Sequence, residues 1–163
     1  MYKAGALEQA VTEYLRATMM DQENPGNFLR AGEILRELGK FQDSNTYLER
    51  AMFLENERTQ REEIRLMIGS NHLLAGNYVA AELVIERLSD ETVERHCEMI
   101  NFMRILILIS TNREKEALET AASAEKRAGI KALSGEVMKL SRLKISPSKA
   151  TFMSTILPGS GQL

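Results

Sequence analysis

Three glycines set the scale of this chain. Gly5, Gly39 and Gly76 stand 34 and 37 residues apart, and each opens a ladder of small and apolar side chains. Gly5-Ala6-Leu7 leads to Ala10, Tyr14 and Ala17; Gly39-Lys40-Phe41 leads to Ser44, Leu48 and Ala51. Gly76-Asn77-Tyr78 leads to Ala81, Ile85 and Leu88. A period of that length is one helical hairpin, and a unit so small buries its apolar face only by stacking on its neighbours. A chain of 163 residues has room for about four or five such hairpins.

Composition agrees with this. Apolar residues make up 44% and charged residues 27%, which places the chain among folded proteins. Aromatic content is only 6% with no Trp, while Ala, Leu, Glu, Arg and Met abound, as suits close-packed helices. Strand signals are lacking along the sequence, so an all-α fold is expected. The 21 basic and 23 acidic side chains leave a net charge of −2, which offers no general attraction to nucleic acid. Lys126, Arg127, Lys131, Lys139, Arg142, Lys144 and Lys149 make the last quarter more basic. A solvated helix face accounts for them, and a patch for anionic lipid headgroups is the sharper alternative. With the single cysteine Cys97, no disulfide forms within the chain. The first residues lack the apolar core of a signal peptide. The longest apolar run, Ile105-Leu106-Ile107-Leu108-Ile109, falls far short of the roughly 20 residues that cross a bilayer. The chain as given is expected to be soluble.

The second hairpin is the clearest. Its first helix carries Phe28, Ala31, Gly32 and Leu35, and its second carries Phe41, Ser44, Leu48 and Ala51, with Asn24-Pro25-Gly26 marking the start. Gly32 lets the two helices approach closely. This pattern resembles the tetratricopeptide repeat, in which an aromatic residue, Leu-Gly and Tyr precede Gly, Tyr, Ala, Phe and Ala. The third hairpin is similar at Ile68, Gly69, Gly76, Tyr78, Ala81, Ile85 and Leu88, and departs at Arg65 and His72, where the pattern has aromatic residues. The first hairpin has its second helix at 6–20, after Gly5; either that helix caps the stack alone or its partner helix is expected in a longer chain, before Met1. A fourth, degenerate hairpin pairs a helix from about Val93 to Ser110 with one from about Glu114 to Arg127. Thr111-Asn112-Arg113 form its turn, without glycine. A last helix is expected at about Lys131 to Leu143. The resemblance covers residues 1 to about 128. It implies antiparallel hairpins stacked as a right-handed α-solenoid over residues 1–144.

Residues 145–163 differ in kind. Ser146, Pro147, Ala150, Ser154, Leu157, Pro158, Gly159, Gly161 and Gln162 resemble a juxtamembrane segment of certain bacterial membrane proteins, where Leu-Pro-Gly-x-Gly-Gln precedes hydrophobic spans. That resemblance implies a longer envelope protein, with a membrane reached only through sequence beyond Leu163. It favours a periplasmic or membrane-associated location, with a cytoplasmic one as the alternative.

Reactive chemistry finds little footing. His72 stands at a packing position, and His96 and Cys97 are sequence neighbours about 100° apart on an expected helix, without a second ligand at metal-binding spacing. Cys97 reads as a small buried apolar residue. The pairs Glu62-Glu63 and Asp90-Glu91 read as helix starts, where carboxylates favour the positive end of the helix dipole. Gly159-Ser160-Gly161 is too short for a phosphate loop. We therefore expect no catalytic residue, no metal site and no cofactor.

What remains is a binding surface. In the tetratricopeptide register the first helix of each hairpin lines a concave groove. Transferred here, the inward positions are Leu29, Arg30, Glu33, Arg36 and Glu37, then Leu66, Met67, Ser70, Leu73 and Leu74, then Met99, Phe102, Met103, Leu106 and Ile109. The groove is expected to pass from charged to apolar along the stack. Its expected occupant is a protein or peptide, such as an amphipathic helix, or the chain's own C-terminal segment folded back. The competing reading is a membrane-proximal structural domain that spaces or oligomerises a membrane-inserted part through the uncovered face of the first helix. A cytoplasmic adaptor is a third.

Overall fold

The computed structural model describes residues 2–128 and Gly135, so most of the helix expected at 131–143, and all of the tail at 145–163, lie outside the described residues. The described residues are all-helical, without strand: α1 (Tyr2–Met20), α2 (Pro25–Glu37), α3 (Phe41–Leu54), α4 (Arg58–Leu74), α5 (Tyr78–Glu86), α6 (Asp90–Arg95), α7 (Cys97–Ser110) and α8 (Glu114–Ala128). The chain divides into two compact units, Met1–Ile100 and Asn101–Leu163. In the first, α1 packs on α2, α2 on α3, α3 on α4 and α4 on α5, and α4 also meets α6.

Three connections share one geometry. After α2, Gly39 donates its N–H to the Arg36 carbonyl and Lys40 donates to Leu35. After α4, Gly76 donates to Leu73 and Asn77 to His72; after α7, Asn112 donates to Ile109 and Arg113 to Leu108. Each is the paired-bond ending in which a left-handed residue closes the helix. The left-handed residues are Gly39 (φ 74°), Gly76 (φ 78°) and Asn112 (φ 59°), 37 and 36 residues apart. Asparagine takes the glycine's place because its short polar side chain tolerates this conformation. The period thus continues into the fourth hairpin. Beyond each turn the same steps are buried: Ser44, Ala81 and Ala117, then Leu48, Ile85 and Ala121, then Ala51, Leu88 and Ala124.

Close helix approach is built in two ways. A Cβ on Gly32 would lie 2.8 Å from Leu48 Cγ and Cδ2, and one on Gly69 would lie 3.1 Å from Val84 Cγ1. In the fourth hairpin the large and small partners are exchanged. Ile105, 73 residues after Gly32, is buried in one cluster with Ala117 and Ala121, and Ala121 is 73 residues after Leu48. In the first unit one core cluster is Leu48, Ala51, Ile64 and Ile68, with Phe28, Leu29, Met52, Met67 and Val84 packed against it. Each aliphatic side chain buried there contributes roughly 1.5–3 kcal/mol.

Four expectations are corrected. Gly5 is not a turn: α1 runs through it from Tyr2, and the left-handed glycines are Gly39 and Gly76. The helix expected from Val93 to Ser110 is two helices that part at His96 (φ −111°, ψ 28°). Ser89 caps the first of them, its hydroxyl accepting from the Thr92 N–H. Cys97 is only partly buried. Glu62 and Glu63 lie in the second turn of α4, not at its start, and bind other groups described below.

Candidate functional site

The inward positions of α2 and α4 meet through Arg36. Its Nη2 donates to Ser70 Oγ at 3.1 Å across 34 residues of sequence, and Ser70 Oγ donates to the Met67 carbonyl at 2.9 Å. Three predicted groove residues, Arg36, Met67 and Ser70, are therefore brought together. Arg36 Nε is buried without an acceptor. Burial pulls its guanidinium below the usual arginine range, while Glu33 and Glu37 draw it back up. Arg36 is thus as much a tie between helices as a contact for a partner. Arg30 is exposed and pairs with Glu33 at 2.8 Å, and Glu37 is exposed. Leu74 is half-buried and lines a surface pocket of about 400 Å³ between the end of α4 and the Gly39 turn, shared with Lys40 and Asp43.

Other predicted positions are filled by the fold itself. Leu29 and Met67 pack against the core cluster of the first unit. Leu66, Leu73 and Met103 are buried, Met103 to 2% exposure, so none of them offers a contact surface. The reason is visible along each helix. On α4, Ile64 and Ile68 are buried together with Leu66 and Leu73, so more than one face is covered by neighbours. On α7, Ile100, Met103 and Ile107 are buried together with Ile105 and Leu108. Met99, Phe102, Leu106 and Ile109 are half-buried, and Ile109 packs on the cluster of Ile105 and Ala121.

Sequence reasoning missed a buried polar network behind this face. Ser44 Oγ donates to the Gly32 carbonyl at 2.7 Å. Asn71 Nδ2 donates to Ser44 Oγ at 2.9 Å and to Asn45 Oδ1 at 2.8 Å, and Asn45 Nδ2 lies 3.4 Å from His72 Nε2. The network ties α2, α3 and α4 together. The signal was present as adjacent polar residues, Ser44-Asn45 and Asn71-His72, but their pairing spans 26 or 27 residues of sequence. Asn71→Ala is expected to lower stability by about 1–3 kcal/mol, because Asn45 Oδ1 is left buried without its donor. Ser44→Ala should cost less, about 1 kcal/mol, since alanine already fills that step at Ala81 and Ala117. Thermal unfolding followed by circular dichroism checks the order; equal losses would mean that Asn71 is not the hub.

The acidic pair on α4 forms a second tie. Buried Glu62 accepts the Ser89 N–H at 2.9 Å and pairs with Arg65. Glu63 Oε1 lies 2.8 Å from His96 Nε2 and 3.2 Å from Arg95 Nη1. The two carboxylates hold both ends of α6. Among the described residues no three His, Cys, Asp or Glu side chains come together as a metal site, and no helix is long and apolar enough to cross a membrane. The chain matches no protein-family model, no curated protein and no solved structure.

Proposed function

We propose that this chain is a non-enzymatic scaffold of stacked tetratricopeptide-like hairpins that holds another protein or peptide against the inward face of α2 and α4. The observation that carries the reading is the thrice-repeated turn at Gly39, Gly76 and Asn112, each followed by the same buried steps. A regular translation of hairpins is the arrangement such turns serve, and a stack of that kind offers an extended inner surface. The available surface consists of Arg30, Glu33, Glu37, Ser70 and Leu74, so it is more polar than the register alone implies. Specificity would then come mainly from charge and hydrogen bonding, with Leu74 as the apolar contact. The segment at 145–163 supports placing the scaffold in a bacterial envelope protein.

A photo-crosslinking residue at Glu37 or Leu74, compared with one at Thr46 or Glu49 on α3, tests the reading in the native host. We expect adducts of one defined mass from the inward positions and several-fold fewer from α3. Equal yields from both faces would overturn it. Arg36→Glu is a poor probe, because reversal would set three carboxylates together at a half-buried tie.

A further inference from the structure

The buried polar network runs in one fixed direction. Ser44 Oγ and the Gly32 carbonyl oxygen are 2.7 Å apart, so a hydrogen lies between them, and a carbonyl can only accept. The single hydroxyl proton of Ser44 is thereby committed, and whatever else faces Ser44 Oγ has to donate. Asn71 Nδ2 does so at 2.9 Å and gives its second hydrogen to Asn45 Oδ1 at 2.8 Å. That bond orients the Asn45 amide in turn, with its Nδ2 toward His72 Nε2 at 3.4 Å. Nε2 must therefore present a lone pair. The ring proton of His72 then sits on Nδ1, which is buried without an acceptor.

A proton on Nε2 would set N–H against N–H. Turning the Asn45 amide would pass the conflict to Asn71, and turning Asn71 would pass it to Ser44 and Gly32, where two oxygens would meet without a hydrogen. Ser44, Asn45 and Asn71 are buried, so water does not absorb the mismatch. Nδ1 gives no relief, since it carries a proton in both states. We propose that these residues form a proton-sensitive latch between the second and third hairpins, closed while His72 is neutral and loosened when Nε2 is protonated. The inference rests on hydrogen-bond geometry and not on the partner reading above. The unfolded chain takes the proton freely, and the folded chain only by breaking the latch. Stability therefore falls as pH falls through the range where histidine titrates, about pH 6.5. The charged groups on the surrounding elements are Asp43 and Glu49 on α3, Glu82 and Glu86 on α5, and Arg36, which reaches α4 at Ser70. Those of α6 meet α4 at Glu63, nine residues back along the helix. Among the described residues, the side-chain hydrogen-bond partner of His72 is Asn45.

Urea unfolding of the full chain at about pH 8 and about pH 5.5 tests this. The key variant is His72→Gln, whose carbonyl oxygen still accepts from Asn45 but does not titrate. Acidification should lower the wild-type folding constant about three- to tenfold more than that of His72→Gln. The other histidine is the control. His96 faces Glu63, a partner that a proton does not displace, so His96→Gln should keep at least the wild-type sensitivity. Asn45→Asp inverts the latch, because a carboxylate there accepts from Asn71 and from protonated His72 alike. Acid should strengthen that variant relative to wild type. Nitrogen chemical shifts of the labelled wild type should place the His72 proton on Nδ1 at about pH 8; they need no substitution to fold. A proton on Nε2 there would overturn the proposal. So would equal acid sensitivity in wild type and His72→Gln, or in wild type and Asn45→Asp.

Discussion

Replacing Gly32 by valine should destabilise the first unit by about 3 kcal/mol or more, and Leu48→Ala in the same chain should return much of that loss. The first added carbon already lies 2.8 Å from Leu48 Cγ and Cδ2 and 3.3 Å from the Ser44 carbonyl oxygen. Leu48 cannot withdraw, because it is fully buried with Ala51, Ile64 and Ile68 around it. The Ser44 carbonyl cannot withdraw either, being the backbone of α3. Alanine at Gly32 meets the same contact, but its better helix propensity returns about 1 kcal/mol, so a loss of only about 1 kcal/mol is expected. Gly69→Ala should be close to neutral, since its Cβ would meet the Val84 side chain at 3.1 Å, and Val84 is only partly buried. Urea unfolding by circular dichroism ranks the three. A midpoint unchanged by Gly32→Val would mean that the two helices are not pressed together there.

That ranking bears on what was legible in the sequence. Gly32 and the ladder of Ser44, Leu48 and Ala51 could be read because close approach demands small residues at fixed helical steps, and such steps survive in a one-dimensional pattern. The turn at Thr111-Asn112-Arg113 could be placed from its polar residues, but not its likeness to the Gly39 turn, because asparagine reaches that left-handed backbone through its side-chain chemistry. Gly5 misled for the converse reason. A glycine inside a helix costs only about 1 kcal/mol, and its spacing alone could not tell a turn from the interior of α1. The division at His96 was hidden because its determinants, Glu63 on α4 and Ser89 at the α6 cap, lie outside the apolar period from Val93 to Ser110. The candidate site suffered most from this. Periodicity marks Leu66, Leu73 and Met103 as apolar-face residues, but not whether that face meets water or a neighbour. The structure buries all three, leaving Arg30, Glu33, Glu37, Ser70 and Leu74 as the accessible positions on α2 and α4.

The exchange of large and small partners in the fourth hairpin gives the other large expected effect. Ile105→Gly should cost about 4 kcal/mol, combining the cavity left by an aliphatic side chain with the poor helix propensity of glycine. Ala121→Leu should cost about 2–3 kcal/mol by overpacking, because Ala121 is fully buried in the cluster with Ile105, Leu108 and Ala117. Together they recreate the pairing of Gly32 with Leu48, and the carbon count at the contact falls by only one. The double variant should therefore be more stable than the sum of its parts by at least about 2 kcal/mol. The physical content is a helix-to-helix distance. A glycine facing a leucine and an isoleucine facing an alanine fill nearly the same gap, so both hairpins can keep one spacing with different side chains. Far-UV circular dichroism with urea unfolding of the four proteins measures the coupling. Strictly additive losses would show that Ile105 and Ala121 do not face one another as Gly32 and Leu48 do, and the fourth hairpin would then not share the geometry of the second.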